Sequence, residues 1–143
     1  MSWHTRCTSR LSHGCGAGER LYQKLQGKHI LIVEDDALLL RLLAQRFTGY
    51  GIHVSQALSG TKALSDIEQH TPDIILLDVE LLDMNGLDFA TLVRQHDHTN
   101  TVPILFMSGG VDHEEDCLKT PRADFIWKPF ALSDLFTRLC NLV

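Results

Sequence analysis

HILIVEDDALLL, residues 29–40, carries an apolar run, His29 aside, that breaks off at Val33 into three consecutive carboxylates, Glu34, Asp35 and Asp36. A second apolar run, Ile74 to Leu77, also ends on a carboxylate, Asp78. Two buried strands that finish in acid place several negative charges at one end of a sheet. At an effective dielectric of about 20, two like charges roughly 4 Å apart repel by about 4 kcal/mol. A fold that keeps such a cluster holds a compensating cation there. Two further apolar runs end in other polar groups: PILFMSGG reaches Ser108 and Gly109, and ADFIWKPF reaches Lys128 and Pro129. Carboxylates, a hydroxyl and an ammonium thus all stand where a strand hands over to a loop, which is where open α/β sheets bind their ligands.

Periodicity alternates between strand and helix along the rest of the chain. Lys28–Val33 reads as a buried strand, and the following helix, Ala37–Phe47, has Leu39, Leu42, Leu43 and Phe47 at helical spacing, with Gly49 and Gly51 marking its end. His53–Ala57 is a short polar edge strand. Ser59 is the expected N-cap of a helix reaching His70, closed by Thr71 and Pro72. Asp73–Leu77, nearly all apolar, is a central strand with both faces covered. Gly86–His96 is a helix offering Leu87, Ala90, Leu92 and Val93 for burial. Pro103–Met107 is the fourth strand, Val111–Lys119 an acidic helix poor in apolar anchors, and Phe125–Trp127 the fifth strand. Leu132–Leu142 closes the chain with Leu135, Phe136, Leu139 and Leu142 facing inward. Five βα units in about 115 residues leave little topological freedom, because parallel crossovers are right-handed and short. The expected fold is α/β, a doubly wound five-stranded parallel sheet of flavodoxin-like order 2-1-3-4-5 with helices on both faces. Its switch point then lies between the two strands that end in carboxylates.

A chain of 143 residues suits one domain with a full core. Charge divides it: residues 1–27 carry +3, and the remainder carries −8 of a net −5. That split marks residues 1–27 as a disordered tail or linker and residues 28–143 as the domain. The tail's His4, Cys7, His13 and Cys15 match no common zinc spacing, and the glycines of GCGAG follow no strand as a dinucleotide fingerprint requires. The acidic balance, with no Lys/Arg cluster, argues against nucleic acid as a direct partner. Scattered cysteines, no secretory signal and no apolar run approaching the roughly 20 residues of a membrane span give the expectation of a soluble, cytoplasmic protein away from membranes.

IVEDD, IILLDVELLDMNG, PILFMSGG and FIWKPF, in this order and at these separations, resemble the receiver domain of two-component response regulators. The resemblance covers about residues 28–143, and four motifs in register over a βα repeat carry it. It implies that Asp78 is the phosphoacceptor and that Glu34 and Asp35, with Asp78 and the backbone carbonyl of Glu80, hold Mg²⁺ or Mn²⁺. Ser108 would hydrogen-bond the phosphoryl group and Lys128 would pair with it. Phe125 would be the switch aromatic that follows Ser108, and Lys128-Pro129 a cis peptide. Asp36, one place beyond the acidic pair, begins the first helix. The Glu80 side chain is placed to tune hydrolysis. Phosphoryl transfer asks a protein mainly to position a nucleophile and neutralise charge, so a carboxylate, oxygen ligands for a hard cation and a compact ammonium form a sufficient set.

Three departures from the family pattern stand out. Leu82 replaces a common proline, so the loop to Gly86 is expected to be less rigid. The Ser108–Lys128 stretch is short, which bears on the fourth helix and hence on the output face of fourth helix, fifth strand and fifth helix. Gly110 offers no side chain to an attacking water. The favoured reading is a stand-alone receiver, not an enzyme on external substrates. It is phosphorylated by a histidine kinase or histidine phosphotransfer protein and acts on a downstream protein or in a phosphorelay, with homodimerisation on activation left open. The alternatives are a non-phosphorylated receiver-like interaction module, the receiver portion of a hybrid histidine kinase, and an aspartyl-type phosphatase, for which the chain has no cap to spare. Simple core packing of Phe125 also stays open.

Overall fold

The computed structural model describes residues 23–110 and 113–143. Five strands, β1 (His29–Val33), β2 (His53–Ala57), β3 (Ile74–Asp78), β4 (Ile104–Ser108) and β5 (Ala123–Trp127), alternate with five helices. These are α1 (Ala37–Gly49), α2 (Gly60–Gln69), α3 (Gly86–Arg94), α4 (Glu114–Leu118) and α5 (Leu132–Leu142). The strands form one parallel sheet in the order β2-β1-β3-β4-β5, the expected doubly wound arrangement. The order reverses between β1 and β3, which opens a crevice at their C-terminal ends.

Strand alternation sorts the apolar residues into two cores. Leu31, Val33, Ile75, Leu77, Ile104, Phe106 and Phe125 face Ala63 and Ile67 of α2, Phe89, Ala90 and Val93 of α3, and Cys117 of α4. Ile30, Ile32, Ile74, Leu76, Leu105, Met107 and Ile126 face Leu40, Leu43 and Phe47 of α1 and Leu135, Phe136 and Leu139 of α5. All five residues of β3 and of β4 are buried, as continuous apolar runs in a sheet covered on both faces must be.

Helix boundaries follow local chemistry. Asp36 caps α1, its carboxylate accepting from the Leu38 and Leu39 amides at 3.0 and 3.3 Å. Ser59 caps α2 by accepting from the Lys62 amide at 3.1 Å, as expected; such caps contribute about 1 kcal/mol each. The buried stripe of α1 is Leu40, Leu43, Ala44 and Phe47, while Leu42 is 51% exposed. With leucine at five of six positions from 38 to 43, the pattern alone underdetermines the face. In α3 the expected Ala90 and Val93 are buried together with Phe89, and Leu92 lies on the exposed side. Helix α4 is only five residues long, with Cys117 its one buried residue, because its acidic composition gives it little to bury.

The expected tail lies outside the described residues as far as residue 22, and so do Val111 and Asp112. Of the tail's last residues, Leu25 is 1% exposed and packs with Ile30, Phe47 and Ile52 on the α1/α5 side. The Gly27 amide donates to the Gly51 carbonyl at 2.9 Å, so packing begins ahead of Lys28. No helix among the described residues is long and apolar enough to cross a membrane.

Candidate functional site

Register brings the first acids together. Val33 pairs with Leu77 in the parallel β1–β3 ladder, so the next residues, Glu34 and Asp78, leave adjacent strands side by side, where strand spacing is about 4.8 Å. Alternation then sets direction. Asp78 follows Ile74 and Leu76 on the α1/α5 side, and Lys128 follows Ile126 on the same side. The Lys128 ammonium lies 2.5 Å from Glu34 Oε1 and 3.5 Å from Asp78 Oδ2. Asp36 is occupied as a cap, which leaves Asp35 to the site. Carboxylate oxygens of Glu34, Asp35 and Asp78 all come within 4.8 Å of one another.

Three carboxylates share one ammonium. Glu34 is fully buried, and its Oε2 has no hydrogen-bond partner among the described residues. Burial pushes its carboxyl up to about 8, the adjacent Asp78 adds to the push, and Lys128 opposes it. Burial would lower the Lys128 ammonium, but Glu34 and Asp78 outweigh it and leave that group above its ordinary value. An uncompensated buried acid is costly. The orphaned oxygen, the excess of negative charge and an all-oxygen donor set fit a hard divalent cation.

The β3–α3 loop shapes the floor of the site. The Glu80 amide donates to Asp78 Oδ1 at 3.2 Å, and the Gly86 amide to the Val79 carbonyl at 2.7 Å. A Cβ at Gly86 would lie 2.6 Å from the Asp78 carbonyl oxygen and 2.8 Å from Val79 Cα, so only glycine lets the loop close against the strand. Leu82 is 92% exposed, yet its neighbour anchors the loop. The Asp83 carboxylate accepts from the amides of Gly60 and Thr61 at 3.0 Å each and from the Thr61 hydroxyl at 2.8 Å. Those donors, Gly60 first, hold the Asp83 carboxyl below its ordinary value. The Asp83 anchor was missed from sequence: nothing in LLDMN identifies a partner 22 residues away.

Ser108 behaves differently from the other expected residues. It follows Phe106 on the opposite face of β4 and donates its hydroxyl to the Glu80 carboxylate, at 2.9 Å from Oε1 and 2.7 Å from Oε2. The Glu80 side chain is therefore engaged with Ser108. The Lys128–Pro129 peptide is cis. Phe125 is 2% exposed and packs edge-on against Trp127 with ring centroids 4.9 Å apart. A groove lined by His29, Ser55, Lys62 and His70 shares no residue with the acidic cluster.

Comparison with known proteins gives a consistent result. The family of the response regulator receiver domain matches residues 30–140. Transcription factor SKN7 of Saccharomyces cerevisiae is 31% identical over 116 residues, covering 80% of this chain and 18% of that protein. The transcriptional regulatory protein PrrA of Mycobacterium leprae is 31% identical over 114 residues, covering 80% of this chain and 49% of that protein. The chain thus spans less than half the length of either. Among solved structures, a response regulator receiver protein from Sinorhizobium medicae superposes with a TM-score of 0.72 at 26% identity, covering 82% of this chain and 95% of that one. The Vibrio cholerae chemotaxis protein CheY4 shares the fold with a TM-score of 0.75 at 23% identity, covering 81% of this chain and 98% of its own.

Proposed function

Since the chain belongs to the response regulator receiver family, we propose that it takes a phosphoryl group onto Asp78 and signals through protein contacts that phosphorylation controls. The donor is a phosphohistidine on a histidine kinase or phosphotransfer protein. The observation that carries this reading is the placement of Asp78, which shares Lys128 with buried Glu34 and has Asp35 within carboxylate reach.

In the transfer, an Asp78 carboxylate oxygen attacks phosphorus as the phosphorus–nitrogen bond breaks to an imidazole that carries a proton on its other ring nitrogen, leaving an acyl phosphate on Asp78 and a neutral histidine on the donor. Glu34, Asp35, Asp78 and the Glu80 carbonyl would hold Mg²⁺ or Mn²⁺, which when bound supplies positive charge to the phosphoryl oxygens. Lys128 neutralises charge on the same group from the other side. Ser108 then gives its hydroxyl to a phosphoryl oxygen, and Phe125 repacks into the space released. Trp127, 42% exposed and in contact with Phe125, carries that change to the surface beside α4 and α5. The chain on this account catalyses only its own phosphorylation and dephosphorylation.

Intact mass measured after incubation with Mg²⁺ and acetyl phosphate tests the reading. One added phosphoryl group, lost when a chelator is present, is the expected result. No adduct, together with no response to a beryllofluoride mimic, would overturn it and favour a non-phosphorylated interaction module.

A further inference from the structure

We propose that the Glu80 side chain is a resting-state latch on Ser108, which phosphorylation of Asp78 must break. The inference rests on the receiver reading above. One exposed carboxylate ties down the end of β4 and Gly110 just beyond it. Glu80 accepts the Ser108 hydroxyl with both oxygens, at 2.9 and 2.7 Å, and the Gly110 amide with Oε1 at 3.2 Å. A Cβ at Gly110 would stand 3.2 Å from that same oxygen, so glycine there leaves room for the carboxylate.

A hydroxyl has one proton to donate. While it goes to Glu80, the buried Ser108 cannot give it to a phosphoryl oxygen. The two acceptors compete for one donor, and the resting acceptor is an anion, which makes the bond it offers a strong one. A Glu80 side chain that swings away from Ser108 gives up the Gly110 amide as well, so the backbone just past β4 loses its tie in the same event. The latch thereby sets how much phosphoryl binding energy is needed before the surface near Phe125 and Trp127 responds. Glu80 is a positioning residue in this account, acting through Ser108.

The test is the affinity for beryllofluoride in the presence of Mg²⁺, measured for wild type, Glu80→Ala, Glu80→Gln, Ser108→Ala and the double variant Glu80→Ala/Ser108→Ala. Loss of a charge-assisted hydrogen bond at a partly solvated site predicts about a fivefold to tenfold tighter complex for Glu80→Ala. Glu80→Gln, which keeps a neutral acceptor for the hydroxyl, should show a smaller gain. In the Ser108→Ala background the Glu80→Ala gain should vanish, because coupled residues fail to add. Equal gains in both backgrounds, or equal gains for Gln and Ala, would mean simple charge repulsion and would overturn the latch while leaving the receiver reading intact. No complex in any of the five proteins would overturn both. In the metal-free wild type, the Gly110 amide resonance should move on Glu80→Ala; an unmoved resonance would also contradict the latch.

Discussion

Asp78→Asn should change the stability of the metal-free protein in a direction that depends on pH. Asp78 lies within 4.8 Å of carboxylate oxygens of both Glu34 and Asp35. At an effective dielectric of about 20, each ionised neighbour repels it by at least about 3.5 kcal/mol. Lys128, 3.5 Å away, attracts it by about 5 kcal/mol on the same scale. With every group ionised, the two repulsions exceed the attraction, and the asparagine variant is the more stable. Glu34 decides whether that condition holds, since its carboxyl is pushed from 4.5 up to about 8. A carboxyl raised in the folded state contributes stability that is fully present below about pH 4.5 and lost as pH rises through about 8. Near pH 6 Glu34 is neutral, only the Asp35 repulsion remains, and the Lys128 attraction outweighs it. Allowing for solvent screening at Asp35, Asp78→Asn is expected to destabilise by about 1 kcal/mol at pH 6 and to stabilise by about 1 kcal/mol at pH 8.5. For a domain of this size that corresponds to roughly 4 °C in Tm in each direction. Thermal unfolding in chelator at the two pH values is the assay. A difference that does not vary with pH, or an asparagine variant less stable at pH 8.5, would refute the reasoning.

Other expectations concern the same framework. Millimolar Mg²⁺ should raise the Tm of wild type by mass action and leave Asp78→Asn nearly unmoved; because the ligands must be deprotonated, the apparent affinity should rise with pH up to about 8, where Glu34 titrates. Gly86→Ala forces backbone atoms at 2.6 and 2.8 Å to move, so it should cost about 2–3 kcal/mol in denaturant titration and slow phosphorylation by acetyl phosphate. Asp83→Ala removes three hydrogen bonds at the start of α2 and should cost about 1 kcal/mol. Leu25→Ala should cost about 2–3 kcal/mol if the buried leucine is an integral part of the core; a neutral result would return it to the tail.

Much of this was legible because strand ends are read directly from sequence. Where β1 and β3 stop, acids begin, and a parallel sheet of order 2-1-3-4-5 leaves Glu34 and Asp78 no place but beside each other. Asp36 was separable from the pair because its neighbours open a helix. The α1 face was only partly legible: Leu43 and Phe47 are buried and Leu39 packs at the margin of the core, but Leu38, Leu39, Leu40, Leu42 and Leu43 offer several apolar stripes, and only packing against β1 and α5 selects Leu40 and leaves Leu42 outside. The shortness of α4 was foreshadowed by its run of acids, but where it begins was not. Leu25 was assigned to the tail on net charge, which carries no information about a single apolar side chain. The Glu80–Ser108 bond, between residues 28 apart, depends on side-chain rotamers across a loop, which no periodicity reports.

The most direct test of the central claim is the position of the phosphoryl group. Phosphorylated protein treated with borohydride, which reduces an acyl phosphate to the alcohol, should give a peptide carrying homoserine at residue 78. Reduction at Glu34 or Asp35 instead, or an adduct on a histidine, would contradict the account.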